Sequence, residues 1–115
     1  MTSHDDGVYL AHILECVALI EGYIGRGKAE FMESALIQDA VLRRLQVMAE
    51  STQRLSDDCK ACAPEVDWRA LSGFRNVLVH DYLGGIDLEQ VWTAVESYLP
   101  ELKAVVQQQL EKKDP

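Results

Sequence analysis

Between Lys28 and Ala63 the chain has neither glycine nor proline, and core-type positions recur at Phe31, Ile37, Val41, Leu45, Met48, Thr52 and Leu55. Steps of mostly three and four residues keep such positions on one face of a 3.6-residue helix. The spacing therefore predicts one amphipathic helix of more than about twenty residues in this stretch. No part of the chain sustains the alternation of two that a half-buried strand requires.

The flanking segments read the same way. Leu10, Ile13, Leu14, Val17, Ile20 and Ile24 mark a first helix, and Gly22, Gly25 and Gly27 mark its end. Ser56 to Val66, with three acids, two cysteines and Pro64, reads as a connector. Asp67 is placed to cap a third helix carrying Trp68, Leu71, Phe74, Arg75, Leu78 and Tyr82, which Gly84-Gly85 ends. Asp87-Leu88-Glu89-Gln90 has the form of a capping box with Asp in the Ser/Thr place. It opens a fourth helix through Val91, Ala94, Val95, Tyr98 and Leu99. Pro100 either kinks that helix or opens a short fifth piece bearing Leu102, Val105, Val106 and Leu110. The expected architecture is all-α: four main helices in an antiparallel bundle, with at most a short fifth element.

The 115 residues suit a single domain, taken here as 1–115. With 48% hydrophobic and 26% charged residues, the composition excludes disordered and low-complexity classes. No apolar run approaches the roughly 20 residues of a membrane span. MTSHDDGVYL has acids where a secretory signal needs bases, so the expectation is a soluble, cytoplasmic protein without a membrane partner. A net charge of −8 weighs against broad nucleic-acid binding, yet residues 26–75 balance eight bases against eight acids and leave room for a local basic site. Arg43 and Arg44 fit either such a groove or a solvated helix face.

Three cysteines, Cys16, Cys59 and Cys62, are an odd number suited to reduced thiols. Cys16 falls within the first helical pattern and reads as a small core residue. Cys59 and Cys62 have the spacing of a redox pair or half a zinc site. Without a second pair or a neighbouring histidine, they read as incidental loop cysteines and no metal is expected. His4 reads as a terminal residue and His12 as a surface or interface one. Trp68 and Trp92 read as packing residues before base-stacking platforms.

One segment departs from plain bundle composition. Arg75-Asn76-Val77-Leu78-Val79-His80-Asp81-Tyr82 gathers five polar side chains at the end of a helical pattern. On an ideal helix His80 lies about 140° round and about 7.5 Å along from Arg75, with Asn76 on the His80 face. A histidine at a helix C-terminus suits proton transfer near neutral pH, and the arginine fork matches a phosphate. Spacing alone favours a plain helix cap with a surface ion pair over a catalytic site.

The order of these residues is more specific. Arg75-x4-His80-x-Tyr82 resembles the R-x4-6-H-x-Y signature of the HEPN superfamily, and RNVLVHDY resembles its HepT-like branch. Tyr9-Leu10 with His12-Ile13, Phe31, and Gln38-Asp39-Ala40-Val41 with Arg43, Leu45 and Glu50 are similar to earlier positions of that branch. Trp68 ahead of Gly73, Val91-Trp92 and Leu99-Pro100 are similar to later ones. Ala49-Glu50-Ser51 departs from the family's Gly-Glu-Ala, and the Cys pair is foreign to it.

The resemblance implies a HEPN-type helical homodimer that is the toxin of a toxin–antitoxin pair. It would act as a metal-independent endoribonuclease on RNA, without a cofactor. A cognate minimal nucleotidyltransferase antitoxin would silence it by AMP transfer. In these terms Arg75 and His80 are catalytic, Tyr82 is the AMPylated residue, Asn76 orients the site, and Asp39 and Glu50 support it. The rival reading is a non-catalytic HEPN subunit that binds substrate for, or regulates, a nucleotidyltransferase.

Overall fold

A computed structural model describes residues 6–71 and 87–113. Among them every regular element is a helix. Helix α1 spans Asp6–Tyr23, α2 Lys28–Glu33, α3 Ala35–Arg54, α4 Asp57–Ala61 and α5 Leu88–Lys113, with a further helical turn at 68–71. Helix α1 packs most extensively on α3 and next on α5.

The core forms along the predicted stripes. Leu10, Ile13, Val17 and Ile20 of α1 are buried against Val41, Leu45 and Met48 of α3 and Val95, Leu99, Leu102 and Val106 of α5. Phe31 of α2 is fully buried, its ring centroid 5.5 Å from that of Trp92. Burying one such aliphatic or aromatic side chain contributes roughly 1.5–3 kcal/mol.

The glycine-free stretch is not one helix. Ser34 is extended (φ −107°, ψ 109°) and divides it into α2 and α3. Two side chains make the break favourable. Ser34 Oγ accepts from the Ile37 backbone N–H at 3.1 Å, and Gln38 Nε2 donates to the carbonyls of Phe31 and Met32 at 2.9 and 3.1 Å. One donor opening α3 and two carbonyls closing α2 are thus satisfied without either helix continuing. Gly27, which caps α2, has φ 95°, a left-handed value that favours glycine.

The connector after α3 also contains a helix. Ser56 caps α4 by accepting from the Cys59 N–H at 3.1 Å. Ser56 is itself held by buried Asp6, whose two carboxylate oxygens accept from its N–H and Oγ–H at 2.8 and 2.6 Å. One carboxylate in the first turn of α1 therefore fixes the junction between α3 and α4.

Both predicted aspartate caps form. Asp67 Oδ1 accepts from the Ala70 N–H at 2.9 Å, and Asp87 Oδ1 from the Glu89 N–H at 3.0 Å. Pro100 opens no separate fifth element, because α5 runs through it from Leu88 to Lys113. Pro100 and Glu96, whose carbonyl loses its donor, are both solvent-exposed, so water can replace the missing bond. The Lys103–Glu21 and Lys28–Glu89 ion pairs, at 3.2 and 2.7 Å, join α5 to α1 and α2 at the surface. Pairs of this kind contribute at most about 1 kcal/mol each.

Replacing Asp6 by Ala leaves the Ser56 donors without their acceptor and is expected to cost about 1–3 kcal/mol in urea unfolding. A loss below about 0.5 kcal/mol, the size of an ordinary surface change, would contradict the role given to this carboxylate.

Candidate functional site

The sequence places its candidate chemistry on two elements, the second half of the third helical pattern and one face of α3. Arg75, Asn76, His80 and Tyr82 lie outside the described residues. The structure describes what leads in and out of them: the turn at 68–71 capped by Asp67, and α5 beginning behind Asp87. Trp68 anchors the first of these by donating its indole N–H to the carbonyls of Lys60 and Ala63, both at 3.1 Å. Trp92 packs on Phe31 near the start of the second. Both tryptophans pack within the fold, Trp68 over the end of α4 and Trp92 on Phe31.

Asp39 and Glu50 are solvent-exposed on α3. Eleven residues of helix separate them by about 16.5 Å along the axis and only about 20° around it, so they share a stripe. Arg43 and Gln46 lie between them on that stripe, joined by an Nη1–Oε1 hydrogen bond of 3.3 Å. The stripe carries both signs of charge and does not form a uniformly basic track.

Arg44 belongs to another face. It is half-buried and interacts with the Cys16 thiol on α1. Burial pushes the Cys16 thiol above its ordinary value, outweighing the downward pull of the Arg44 hydrogen bond and charge. Only Arg43 of this pair is on the solvated face.

Glu50 also lines an open groove between α1 and α3 with Tyr9, His12, Ser51 and Arg54. His12 is not a simple surface residue. Its Nδ1 lies 2.6 Å from Ser51 Oγ and its Nε2 3.8 Å from Cys16 Sγ, so both ring nitrogens are engaged between the helices. The His12–Cys16 spacing of four is visible in the sequence. The Ser51 partner, 39 residues away, has no local signal.

Among the described residues no three His, Cys, Asp or Glu side chains gather to hold a metal ion. No described helix is long and apolar enough to cross a membrane.

The described residues thus define an all-α bundle built on α1, α3 and α5, with polar residues along one face of α3. The family profile described as Ribonuclease HepT-like matches residues 13–109, and the chain belongs to this HepT-like family of the HEPN class. A "Probable ribonuclease HepT" of Thermococcus cleftensis is 34% identical over 102 residues, covering 88% of this chain and 90% of that one. A "Putative RNase" of Caldanaerobacter subterraneus is 30% identical over 105 residues, covering 90% and 93%. A "Gamma-glutamylcyclotransferase and putative RNase" of Methanocaldococcus jannaschii is 32% identical over 111 residues, and the chain spans 50% of its length. No solved structure matches the chain.

The Cys16 thiol gives a pH prediction. The folded state keeps this proton where the unfolded chain has already released it. Its contribution is complete below the ordinary thiol range and is lost as pH rises through and above it. Urea midpoints of the parent protein should therefore fall more steeply above about pH 8.5 than those of Cys16→Ala. Parallel pH profiles would contradict the assignment.

Proposed function

We propose that this chain is the toxin of a toxin–antitoxin pair and a metal-independent endoribonuclease. The observation that supports this most is the HepT-like match over residues 13–109, which takes in the whole Arg75–Tyr82 segment. The names of the Thermococcus and Caldanaerobacter relatives, both described as ribonucleases, support RNA as the substrate.

The chemistry follows from the residue types. His80 accepts the proton of a ribose 2′-hydroxyl, and the oxygen attacks the adjacent phosphorus. The P–O5′ bond breaks, leaving a 2′,3′-cyclic phosphate on one fragment and a 5′-hydroxyl on the other. Arg75 stabilises the charge that grows on the phosphoryl oxygens, commonly the largest contribution in such a site. Asn76 orients the site, with Asp39 and Glu50 in support. The departing O5′ requires a proton, and a homodimer that brings two motif histidines together provides the second group.

Silencing follows from charge as well. A cognate minimal nucleotidyltransferase transfers AMP to the Tyr82 hydroxyl. This places a phosphate beside Arg75 and an adenosine where RNA would lie, so the added anion repels the substrate. The setting is the cytoplasm.

Protein made without its antitoxin is expected to cut total RNA in excess EDTA, and Arg75→Ala and His80→Ala are each expected to lose at least about 100-fold in rate. Equal cutting by the parent and His80→Ala would contradict the role of the histidine. Tyr82→Phe is expected to stay toxic in cells while escaping silencing by the nucleotidyltransferase. Loss of its toxicity would show that the hydroxyl also serves binding or catalysis. The net charge of −8 favours a second reading, a non-catalytic subunit that binds substrate for a nucleotidyltransferase. Intact RNA with Tyr82 shown unmodified by mass would establish that reading instead.

A further inference from the structure

Cys59 and Cys62 have no part in the proposed RNA chemistry, and the structure does not leave them as two loop residues. Cys59 lies in α4, and Cys62 is its C-cap with a right-handed φ of −74° and ψ of −9°. Three residues of helix set their Cα atoms about 5 Å apart. A disulfide closes across about 4.4–6.8 Å. Side chains three apart on a helix stand about 5–6 Å apart at Cβ. A disulfide needs about 3.5–4.5 Å there, so closing it draws the end of α4 inward by about 1–2 Å and strains that turn.

Both cysteines line one solvent-open groove with Asp6, Asp58, Gln109 and Lys112. They differ in access and in bonding. Cys62 is exposed, whereas Cys59 is buried and its thiol donates to Gln109 Oε1 at 2.7 Å. Gln109 is buried too, and its Nε2 donates back to the Cys59 carbonyl at 3.0 Å. This reciprocal pair clasps α4 to α5.

We propose that Cys59 and Cys62 form a redox modification site, a dithiol that a low-molecular-weight disulfide converts to an intrachain disulfide, opening the Cys59–Gln109 clasp. The Cys62 thiolate attacks one sulfur of the oxidant, forming a mixed disulfide and releasing one thiol. The Cys59 thiol then loses its proton and attacks Cys62 Sγ, releasing the second. Two protein thiols are oxidised as one external disulfide is reduced to two thiols. Bonded to Cys62, Cys59 Sγ has no hydrogen to donate, and the buried Gln109 oxygen loses that donor. Closing a loop of four residues constrains the unfolded chain by at most about 2 kcal/mol. The strain of drawing the two Cβ atoms together from helical spacing subtracts from that, so the opened clasp is expected to outweigh it.

The test is titration with oxidised glutathione, followed by intact mass, peptide mapping and thermal melting. The parent protein is expected to lose the mass of two hydrogens, retain no glutathione, and melt a few degrees lower until dithiothreitol restores it. Cys59→Ser keeps a donor for Gln109 and is expected to hold one glutathione on Cys62. Cys62→Ser is expected to gain none. Glutathione retained on Cys62 of the parent protein, or an oxidised protein with unchanged melting, would overturn the proposal.

Discussion

Everything in this bundle leans on the apolar stripe of α1. Leu10, Ile13, Val17 and Ile20 are between 0 and 1% exposed, held between α3 on one side and α5 on the other. A helix buried on two sides has no alternative register that keeps its apolar face dry, so its position fixes those of its neighbours. The polar residues of α1 reinforce this from the edges. Asp6 ties its N-terminus to the α3–α4 junction, His12 reaches Ser51 on α3, and Glu21 pairs with Lys103 on α5. Truncating one buried aliphatic of this stripe to Ala would cost about 2–5 kcal/mol, a large share of a small domain's stability.

The sequence was legible where a signal is local. Asp67 and Asp87 accept from N–H groups two or three residues ahead, and both caps follow from side chain and position alone. The stripes of α1, α3 and α5 follow from period. Ser34 was missed because nothing in its neighbourhood forbids a helix; the break depends on Gln38 reaching back to two carbonyls. Of the two outcomes that Pro100 leaves open, one helix running through it is the one that forms. A proline on the solvent face of a helix already held by Leu99 and Leu102 loses one bond that water can replace, and the helix continues.

The candidate site shows the same division. Asp39 and Glu50 share a face of α3 by spacing alone, whereas the engagement of His12 by Ser51 joins residues far apart in sequence and emerges only from the packing of α1 on α3. Arg75, Asn76, His80 and Tyr82 are legible through their order, which matches a family signature, rather than through any periodicity. The described residues on either side of that segment begin capped helical turns at Asp67 and Asp87.

The central claim is that the ribose 2′-hydroxyl is the nucleophile. The most direct measurement compares one RNA oligonucleotide with its 2′-O-methyl counterpart, incubated with unmodified protein, and reads the product ends by mass spectrometry. The account predicts that only the unblocked RNA is cut and that its first product carries a 2′,3′-cyclic phosphate. Cleavage of the blocked strand, or a linear 3′-hydroxyl end as the first product, would contradict it.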